Sequence, residues 1–406
     1  MEKKYVSMYN RRKKLKREIK MKAIGIVVEY NPFHNGHKLH LKESKKKGDL
    51  VVAVMSGNFL QRGEPAIYDK WTRANMALKN GVDIVVELPV FYATQSAEIF
   101  AYGAIDILDK LGVEGIVFGS ESSNLEKLKK IAYLQIDKKN ILDEKIKEYI
   151  KIGISYPNAI NIAIEEMLGE TNILKPNDIL GIEYIKAIRK LKSSMEITLI
   201  GRKGVGYHEK KVVEELASAT SIRDMIKKNM ISEVKKVVPL ESLDYFGTPI
   251  YLEDFYSLLR YEILNNYEEL KFIADMEIGL DNRIFEMAVK FSEFSEFYKN
   301  IMTKRYTNGR MQRVLCHILL KIDKKIIEET RNGIGYVKIL GFSKKGANYL
   351  KEKKEEFRIK PLSGLKNVSL ILEERERELL NFEIKCDRIY NIVNPYKDRR
   401  FPIIGK

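Results

Sequence analysis

The sequence has few of the features that mark secreted or membrane-spanning proteins. Only two cysteines occur among 406 residues, Cys316 and Cys386, and they lie far apart. Their spacing fits neither a disulfide framework nor a structural zinc site, and it agrees with a reducing cytoplasm. No stretch approaches the roughly 20 uninterrupted apolar residues of a membrane span. Residues 1–20 lack the apolar centre of a leader peptide. The sequence therefore predicts a cytoplasmic protein without membrane contact.

Acidic residues are outnumbered by basic ones, 56 to 72, which gives a formal net charge of +16. Residues 1–20 contain nine Lys or Arg and two acidic residues, so +7 of this excess lies there. Because Met21 begins a natural strand, we expect residues 1–20 to be a disordered basic extension, or the result of a start assigned too early. The remaining +9 suits a polyanionic partner.

The first half of the chain alternates between short apolar runs and longer helical segments. The apolar runs, each predicted to be a strand, lie at residues 23–28, 49–55, 83–89, 115–121 and 196–201. Strands that alternate with helices in this way predict an α/β fold with a doubly wound, parallel, Rossmann-like sheet. Ligands in such sheets bind beyond the carboxyl ends of the strands. We therefore expect one functional rim, formed by residues 30–37, 56–64 and 119–121.

A histidine motif directly follows the first predicted strand. Residues 34–37 read His-Asn-Gly-His, the H-x-G-H form of nucleotidyltransferases and class I aminoacyl-tRNA synthetases. The glycine lets a nucleotide approach the backbone, and both imidazoles can donate to the triphosphate while pyrophosphate leaves. A helix that begins here adds free amides and the positive end of its dipole.

Metal binding is the alternative for His34, His37 and His40, which are spaced three apart. Successive steps of three residues drift around a helix, and no cysteine lies nearby to complete a site. We therefore predict no metal site at these histidines.

A second phosphate-binding pattern lies at residues 218–223, which read Ser-Ala-Thr-Ser-Ile-Arg. It resembles the S-x-T-x-I-R element with which small-molecule nucleotidyltransferases bind the β- and γ-phosphates. Ser218 is a suitable helix N-cap, and Arg223 would lie about one turn inside the helix. An ordinary capped helix explains this segment by itself. Two such motifs at opposite ends of one α/β region favour nucleotide binding.

Beyond about Pro249 the composition changes to helical segments rich in Tyr, Phe, Leu, Lys and Glu, without a parallel-strand pattern. We therefore predict a nucleotidyltransferase-like domain at residues 21–248 and a mostly helical domain at residues 249–406. The second region has three clusters of basic and aromatic residues, a mixture that suits phosphates and unpaired bases of RNA. Solvated helix faces explain any single cluster equally well. The candidate RNA-binding residues are Lys304, Arg305, Arg310, Arg313, Lys344, Lys345, Arg399 and Arg400.

Longer segments narrow the interpretation to one family. Residues 25–37 closely resemble the start of the bacterial tRNA(Met) cytidine acetate ligase family. Residues 55–66, 118–121 and 176–181 resemble further segments of that family. The resemblance spans about residues 21–400, and only the basic N-terminal segment has no counterpart.

The resemblance implies an enzyme that activates acetate with ATP, forming acetyl-adenylate and pyrophosphate. It then acetylates N4 of the wobble cytidine of elongator tRNA(Met), giving N4-acetylcytidine, with Mg²⁺ as the expected counter-ion of the triphosphate. No protein partner is implied. His34 and His37 are the predicted catalytic residues. With both phosphate motifs included, the predicted ATP-binding residues are Val27, Val28, Glu29, Tyr30, Asn31, Pro32, Phe33, His34, Asn35, Gly36, His37, His40, Gly119, Asn177, Arg202, Ser218, Thr220 and Arg223.

Two other functions explain part of the sequence. A nucleotidyltransferase that acts on a small phosphorylated metabolite would share both phosphate motifs, but it would not need a large basic helical region. A non-catalytic RNA-binding protein would explain the charge, but it would leave the paired motifs without a role.

Overall fold

The computed structural model describes residues 21–171, 174–201, 216–303, 305–395 and 401–405. The predictions for residues 1–20, Arg202, Lys304, Arg399 and Arg400 lie outside the described residues, as does the side chain of Asn177.

One sheet of eight strands organises the described residues. Its order is β5-β4-β1-β2-β3-β6-β7, and β8 pairs with β6. Strands β1 to β5 run parallel, whereas β6 is antiparallel to β3. The strands are β1 (Ala23–Val28), β2 (Leu50–Ser56), β3 (Ile84–Leu88), β4 (Gly115–Ser120), β5 (Glu196–Gly201), β6 (Tyr336–Phe342), β7 (Lys360–Leu362) and β8 (Ile403–Ile404).

The predicted α/β sheet is confirmed, and each of its five parallel strands ends within one residue of the predicted limit. The strand order explains where a ligand would bind. Strand β1 has β2 on one side and β4 on the other, so the chain order reverses between β1 and β4. Such a reversal opens a crevice beyond the carboxyl ends of the two strands. Residues 29–37 and Gly119 lie at this end of the sheet.

Helices account for most of the remaining described residues. They are α1 (Asn35–Lys45), α2 (Lys70–Lys79), α3 (Val90–Ala93), α4 (Ala97–Lys110), α5 (Leu125–Asp137), α6 (Lys139–Lys151), α7 (Tyr156–Leu168), α8 (Pro176–Lys190), α9 (Ala219–Lys227), α10 (Ile231–Val237), α11 (Leu240–Leu243), α12 (Tyr256–Asn265), α13 (Leu280–Lys290), α14 (Phe294–Ile301), α15 (Asn308–Leu320), α16 (Lys324–Thr330), α17 (Lys344–Glu352), α18 (Val368–Ile371) and α19 (Glu374–Val393). Short 3-10 helices span Leu252–Phe255, Tyr267–Phe272 and Lys354–Glu356. None of the helices in the described ranges is both long and apolar enough to cross a membrane.

The core lies on both faces of the sheet. Within β2, Val52 and Val54 pack into one buried apolar cluster, and Val51 and Ala53 pack into the other. Every residue of β2 is buried, as expected for a central strand with helices on both sides. The alternation of side chains along a strand therefore divides one apolar run between two cores.

The region beyond residue 249 is mostly helical, as predicted, but it also contains three strands that the sequence analysis did not identify. Strand β6 lies beside β3 in the central sheet, β7 pairs with β6, and β8 joins the same strand. The sequence pattern did not identify β6 for two reasons. The strand has a charged residue, Lys338, in its middle. It also runs antiparallel to β3 and so does not belong to the repeat of strand, helix and parallel strand. Its ammonium is paired with carboxylates of Glu87 and Glu383, so a charged residue is accommodated in a central strand. The domain limit at 249 stays a prediction.

Candidate functional site

The turn after β1 packs three rings around the second motif histidine. Tyr30 has a left-handed backbone (φ 50°), which is uncommon for a residue with a side chain. Its buried ring lies 4.6 Å from that of Phe33 and 4.9 Å from that of His37, centroid to centroid. The aromatic packing holds the chain in this turn, so His37 is positioned by residues of the same short segment.

The two motif histidines also form the start of α1. His34 is the N-cap, and its Nδ1 accepts from the amide of Gly36 at 3.1 Å. The Nδ1 of His37 accepts from the amide of His34 at 3.3 Å. When Nδ1 accepts a hydrogen bond, the hydrogen of a neutral imidazole lies on Nε2. Both rings are therefore held in the tautomer that can donate from Nε2.

Gly36 allows the two imidazoles to stack. Their centroids are 3.7 Å apart and their planes differ by 30°. A Cβ atom on Gly36 would lie 2.8 Å from Cε1 of His34, closer than side-chain atoms approach. Glycine is therefore needed at the third position of the H-x-G-H motif, because any side chain there would collide with the His34 ring.

The H-x-G-H and S-x-T-x-I-R motifs, which are far apart in the sequence, are in contact in the structure. The Ser218 side chain accepts from the amide of Ser221 at 3.1 Å, which confirms Ser218 as the N-cap of α9. Arg223 donates from Nη1 to the carbonyl oxygen of Asn31 at 3.1 Å. Its Nη2 lies 3.3 Å from Oγ1 of Thr220. One guanidinium therefore connects the S-x-T-x-I-R helix to the turn that carries His34.

Asp178 brings the start of α8 to the end of β4, a role that the sequence analysis missed. Its fully buried carboxylate accepts from the hydroxyl of Ser120 at 2.7 Å and from the amide of Glu121 at 2.9 Å. Asn177 is the preceding residue, and Gly119 precedes Ser120. The contact therefore brings the backbone of Asn177 close to the carboxyl end of β4, where Gly119 lies.

Arg73 holds the ends of two strands together and was also missed. It is fully buried, and its Nη1 donates to the carbonyl oxygens of Glu29 at 2.6 Å and Ser56 at 3.0 Å. Its Nη2 donates to the carbonyl oxygen of Gly57. Burial lowers the pKa of this guanidinium, but an arginine remains charged. The sequence signal that could have revealed this role is the position of Arg73 on the buried side of α2, next to Ala74.

Glu29 is the carboxylate closest in sequence to the histidine motif. Its Oε1 accepts from the amide of Gln61 at 2.8 Å, which ties β1 to the loop after β2. Burial raises the pKa of the Glu29 carboxyl, and the negative charge of Glu64 adds to this effect. The charges of Arg223 and Arg73 oppose it. The rim therefore combines two carboxylates and two guanidinium groups within one electrostatic environment.

The arginine part of the predicted RNA surface lies beside this rim, with its charges paired. Arg305 and Arg310 approach Glu277 at 2.6 and 2.5 Å, and Arg313 approaches Asp275 at 3.2 Å. At Gly63, a Cβ would come within 2.4 Å of the backbone nitrogen of Arg313, so α15 packs directly on the loop after β2. These arginines stay candidates for RNA contact, with acidic partners that an RNA would have to displace.

The lysine pair of the predicted surface lies elsewhere. Lys344 and Lys345 are exposed at the start of α17, and Nζ of Lys345 donates to the carbonyl oxygen of Asp49 at 2.6 Å. Asp49 immediately precedes β2, at the end of the sheet opposite to the rim. The structure therefore does not bring the lysine and arginine clusters together.

Comparisons with known proteins identify the family of this chain. The profile of a family described as HIGH Nucleotidyl Transferase matches residues 21–401. The tRNA(Met) cytidine acetate ligase of Fusobacterium nucleatum is 41% identical over 400 residues, covering 95% of this chain and 99% of that protein. The enzyme of the same name from Caldanaerobacter subterraneus is 43% identical over 401 residues, covering 95% and 100%. The chain belongs to this ligase family.

A solved structure extends the likeness to the fold. Thermotoga maritima TmcAL bound with alpha-thio ATP superposes with a TM-score of 0.85 at 33% identity, covering 95% of this chain and 99% of that one. The apo form of the same protein gives a TM-score of 0.86 at 32% identity. The similarity covers nearly all of the chain, so the C-terminal strands and helices are part of the family fold.

Proposed function

We propose that this member of the ligase family forms acetyl-adenylate from acetate and ATP and then acetylates N4 of the wobble cytidine of elongator tRNA(Met). The relatives' names and the ATP analogue in the Thermotoga maritima structure support this activity. The observation that carries it is the hydrogen bond from Arg223 to Asn31. It joins the two halves of a triphosphate site around one turn.

In the first step, an acetate oxygen attacks the α-phosphorus of ATP and pyrophosphate leaves. His34 and His37 donate from Nε2 to the α-phosphoryl oxygens, where negative charge has to be stabilised in the transition state. Ser218, Thr220 and Arg223 hold the pyrophosphate end. The described residues contain no cluster of three His, Cys, Asp or Glu that could hold a metal ion. Mg²⁺ bound to the triphosphate would neutralise part of its negative charge as pyrophosphate leaves.

In the second step, the exocyclic N4 of cytosine attacks the acetyl carbon. A new C–N bond forms, the bond from this carbon to the adenylate oxygen breaks, AMP leaves, and N4 loses one proton. The base has to leave its stack to reach the site, which costs less for an anticodon nucleotide than for a paired one.

The two steps can be measured separately. We expect the purified chain to exchange labelled pyrophosphate into ATP only when acetate is present. With acetate, ATP and elongator tRNA(Met), digestion of the RNA should yield N4-acetylcytidine. Exchange that needs a phosphorylated metabolite instead of acetate would favour another nucleotidyltransferase. RNA binding without any exchange would remove the catalytic proposal altogether.

Gly36→Ala tests whether stacking of the two imidazoles matters for the first step. The added methyl group should push the His34 ring away from its present position. A misplacement of about 1 Å at a reacting centre can lower a rate roughly 100-fold. We expect a loss of that order in acetate-dependent exchange, with a melting temperature close to that of the wild type.

Gly247→Ala is the matched control, because a Cβ there meets nothing within 4 Å. It should exchange at the wild-type rate. Full activity of Gly36→Ala would show that the close approach of Gly36 to His34 has no part in catalysis.

A further inference from the structure

His317 is a fully buried histidine that the proposed catalytic steps do not use. It lies in the last turn of α15. Its Nε2 is 2.7 Å from the carbonyl oxygen of Thr94, between α3 and α4. Its Nδ1 is 3.1 Å from the carbonyl oxygen of Ala274, in the segment before α13. One imidazole therefore joins the α/β region to two segments of the C-terminal helices.

Both contacts of His317 place a ring nitrogen against an acceptor. A neutral imidazole has one donor and one acceptor nitrogen, whereas the imidazolium donates from both. A neutral ring would thus leave a nitrogen lone pair facing a carbonyl oxygen, away from water, and such unpaired buried groups are costly. Turning the ring over would place carbon atoms at both carbonyl oxygens. The doubly protonated ring is the form that satisfies both oxygens.

The charges around His317 act in both directions. Burial lowers the pKa of its imidazole, whereas the charge of Asp275 and the two carbonyl bonds oppose this effect. The charge of Arg313, one turn earlier on α15, also lowers the pKa. Arg313 is paired with Asp275 at 3.2 Å, so its effect on the ring is reduced. Thr94 and Gln95, which face the ring from the α/β region, are uncharged.

The position of His317 in its helix favours the imidazolium. The last carbonyl groups of a helix carry a partial negative charge, which stabilises a cation in the last turn. Hydrogen bonds that an ionised group donates are also roughly twice as strong as those between neutral groups. His317 has two such acceptors at this helix end. The helix end and the two bonds therefore act together against the effect of burial.

The contacts of His317 continue to the rim. The side-chain amide of Gln95 lies 3.3 Å from Nε2 of His317, and the carbonyl oxygen of Gln95 accepts from Nε2 of Gln61 at 2.8 Å. The amide of Gln61 in turn donates to the carboxylate of Glu29, directly before the turn that carries His34. A chain of contacts therefore leads from the buried ring to the end of β1.

We propose that His317 is protonated on both ring nitrogens in the folded chain and that its charge holds the C-terminal helices against the segment that supports the rim. His317 is then a positioning residue for the acetate-activating step, an assignment that rests on the proposed function. Loss of one proton to solvent would turn one carbonyl contact from attraction to repulsion. The ring would separate from Thr94 or from Ala274, and the support of Gln61 would loosen. The activity of the rim should therefore fall at alkaline pH.

The protonation state of His317 can be measured directly in the wild-type chain. Nuclear magnetic resonance of ¹⁵N-labelled histidine distinguishes protonated from unprotonated ring nitrogens, and the signals of His317 are assigned through its contacts with Thr94 and Ala274. At pH 7.5 we expect both nitrogens of this ring to carry a proton. An unprotonated nitrogen there would overturn the inference.

His317→Gln gives a second measurement with a definite sign. A raised folded-state pKa provides stability that is fully present below the unfolded pKa of about 6.5 and is lost as the pH rises through the folded pKa. The ratio of the unfolding equilibrium constants of variant and wild type should therefore fall above pH 6.5, by up to about tenfold per pH unit. For a neutral buried ring, the same ratio would instead rise between about pH 5 and 7.

Cys316→Ala is the matched control for packing. It removes a fully buried side chain next to His317 on the same helix. Burial raises the pKa of the Cys316 thiol, which therefore stays uncharged over this range of pH. The destabilisation by Cys316→Ala should not vary between pH 6.5 and 9.

The pH profile of pyrophosphate exchange tests the positioning role. Wild-type exchange should decline with the midpoint that the resonance measurement gives for His317, by about tenfold per pH unit beyond it. His317→Gln should lack this decline, and a decline that persists in the variant would refute the positioning role. Exchange by a chain with a neutral ring would refute the inference and leave the proposed function intact. A doubly protonated ring in a chain without acetate-dependent exchange would refute the proposed function and leave the buried imidazolium.

Discussion

His37→Ala is expected to lower acetate-dependent pyrophosphate exchange by about 100- to 1,000-fold, the usual effect of removing one donor to a charged transition state. The ring is held among Tyr30, Phe33 and His34, and its Nδ1 is occupied by the amide of His34. Nε2 is therefore the ring nitrogen that would donate to a phosphoryl oxygen. The loss should appear mainly in the maximal rate, because the donor acts where charge develops.

Two conservative substitutions separate catalysis from helix capping. An asparagine at position 37 places an acceptor near the present Nδ1 and can keep the bond from the amide of His34. A glutamine places an amide nitrogen nearer to the present Nε2. If donation is the role of His37, then His37→Gln should retain more exchange activity than His37→Asn. The reverse order, with both variants folded, would show that capping the helix is what the residue contributes.

The local parts of the site could be predicted from the sequence because their patterns are contained in short segments. An apolar run followed by His34, Gly36 and His37 specifies a strand, a turn and a helix start within about fifteen residues. The capped helix at Ser218 is equally local. Their contact through Arg223 joins segments that are almost 200 residues apart, and neither local pattern specifies it.

The parts that could not be predicted depend on contacts between distant segments. Asp178 looks like an ordinary acidic residue in the first turn of α8, yet it bonds to Ser120, 58 positions away. Arg73 looks like one of many basic residues on a helix, and only burial reveals its carbonyl partners. Strand β6 was missed for the same reason, because the partners of its Lys338 lie far away in the sequence. A charged side chain within an apolar pattern is ambiguous until its partner is known.

Five ionisable side chains form a buried network where β6 and α19 meet the α/β region. Nζ of Lys338 lies 2.9 Å from Glu383 and 3.1 Å from Glu87. Nζ of Lys70 lies 2.9 Å from Glu87 and 2.5 Å from Asp387. Three carboxylates thus share two ammonium groups. Burial raises the pKa of Glu383, an effect that the charge of Lys338 opposes.

This network also reaches the rim. Asp387 accepts from Nδ2 of Asn58 at 3.0 Å, and Oδ1 of Asn58 accepts from the amide of Lys70 at 2.8 Å. Asn58 belongs to the loop after β2 that carries Gln61 and Glu64. The carboxylates of α19 therefore help to position a loop that the proposed function needs.

Lys338→Met is expected to lower the free energy of unfolding by about 3–5 kcal/mol at neutral pH, because it leaves buried carboxylates without their cation. The side chain is only 12% exposed, so solvent cannot replace the lost partner. Because methionine preserves most of the volume of the lysine side chain, the loss of stability can be assigned to the missing charge. Chemical denaturation of both proteins at several pH values measures it.

The pH dependence of the stability of Lys338→Met shows whether the loss comes from charge or from packing. Without Lys338 the pKa of Glu383 should rise further above its unfolded value. The folded variant then takes up protons that the unfolded chain does not, and its stability increases as the pH falls toward about 5. The deficit relative to the wild type should therefore be larger at pH 8 than at pH 5. Glu383→Gln in the Lys338→Met background should restore part of the stability at pH 8. A deficit independent of pH, without rescue by Glu383→Gln, would mean that packing around position 338 and not charge stabilises this junction.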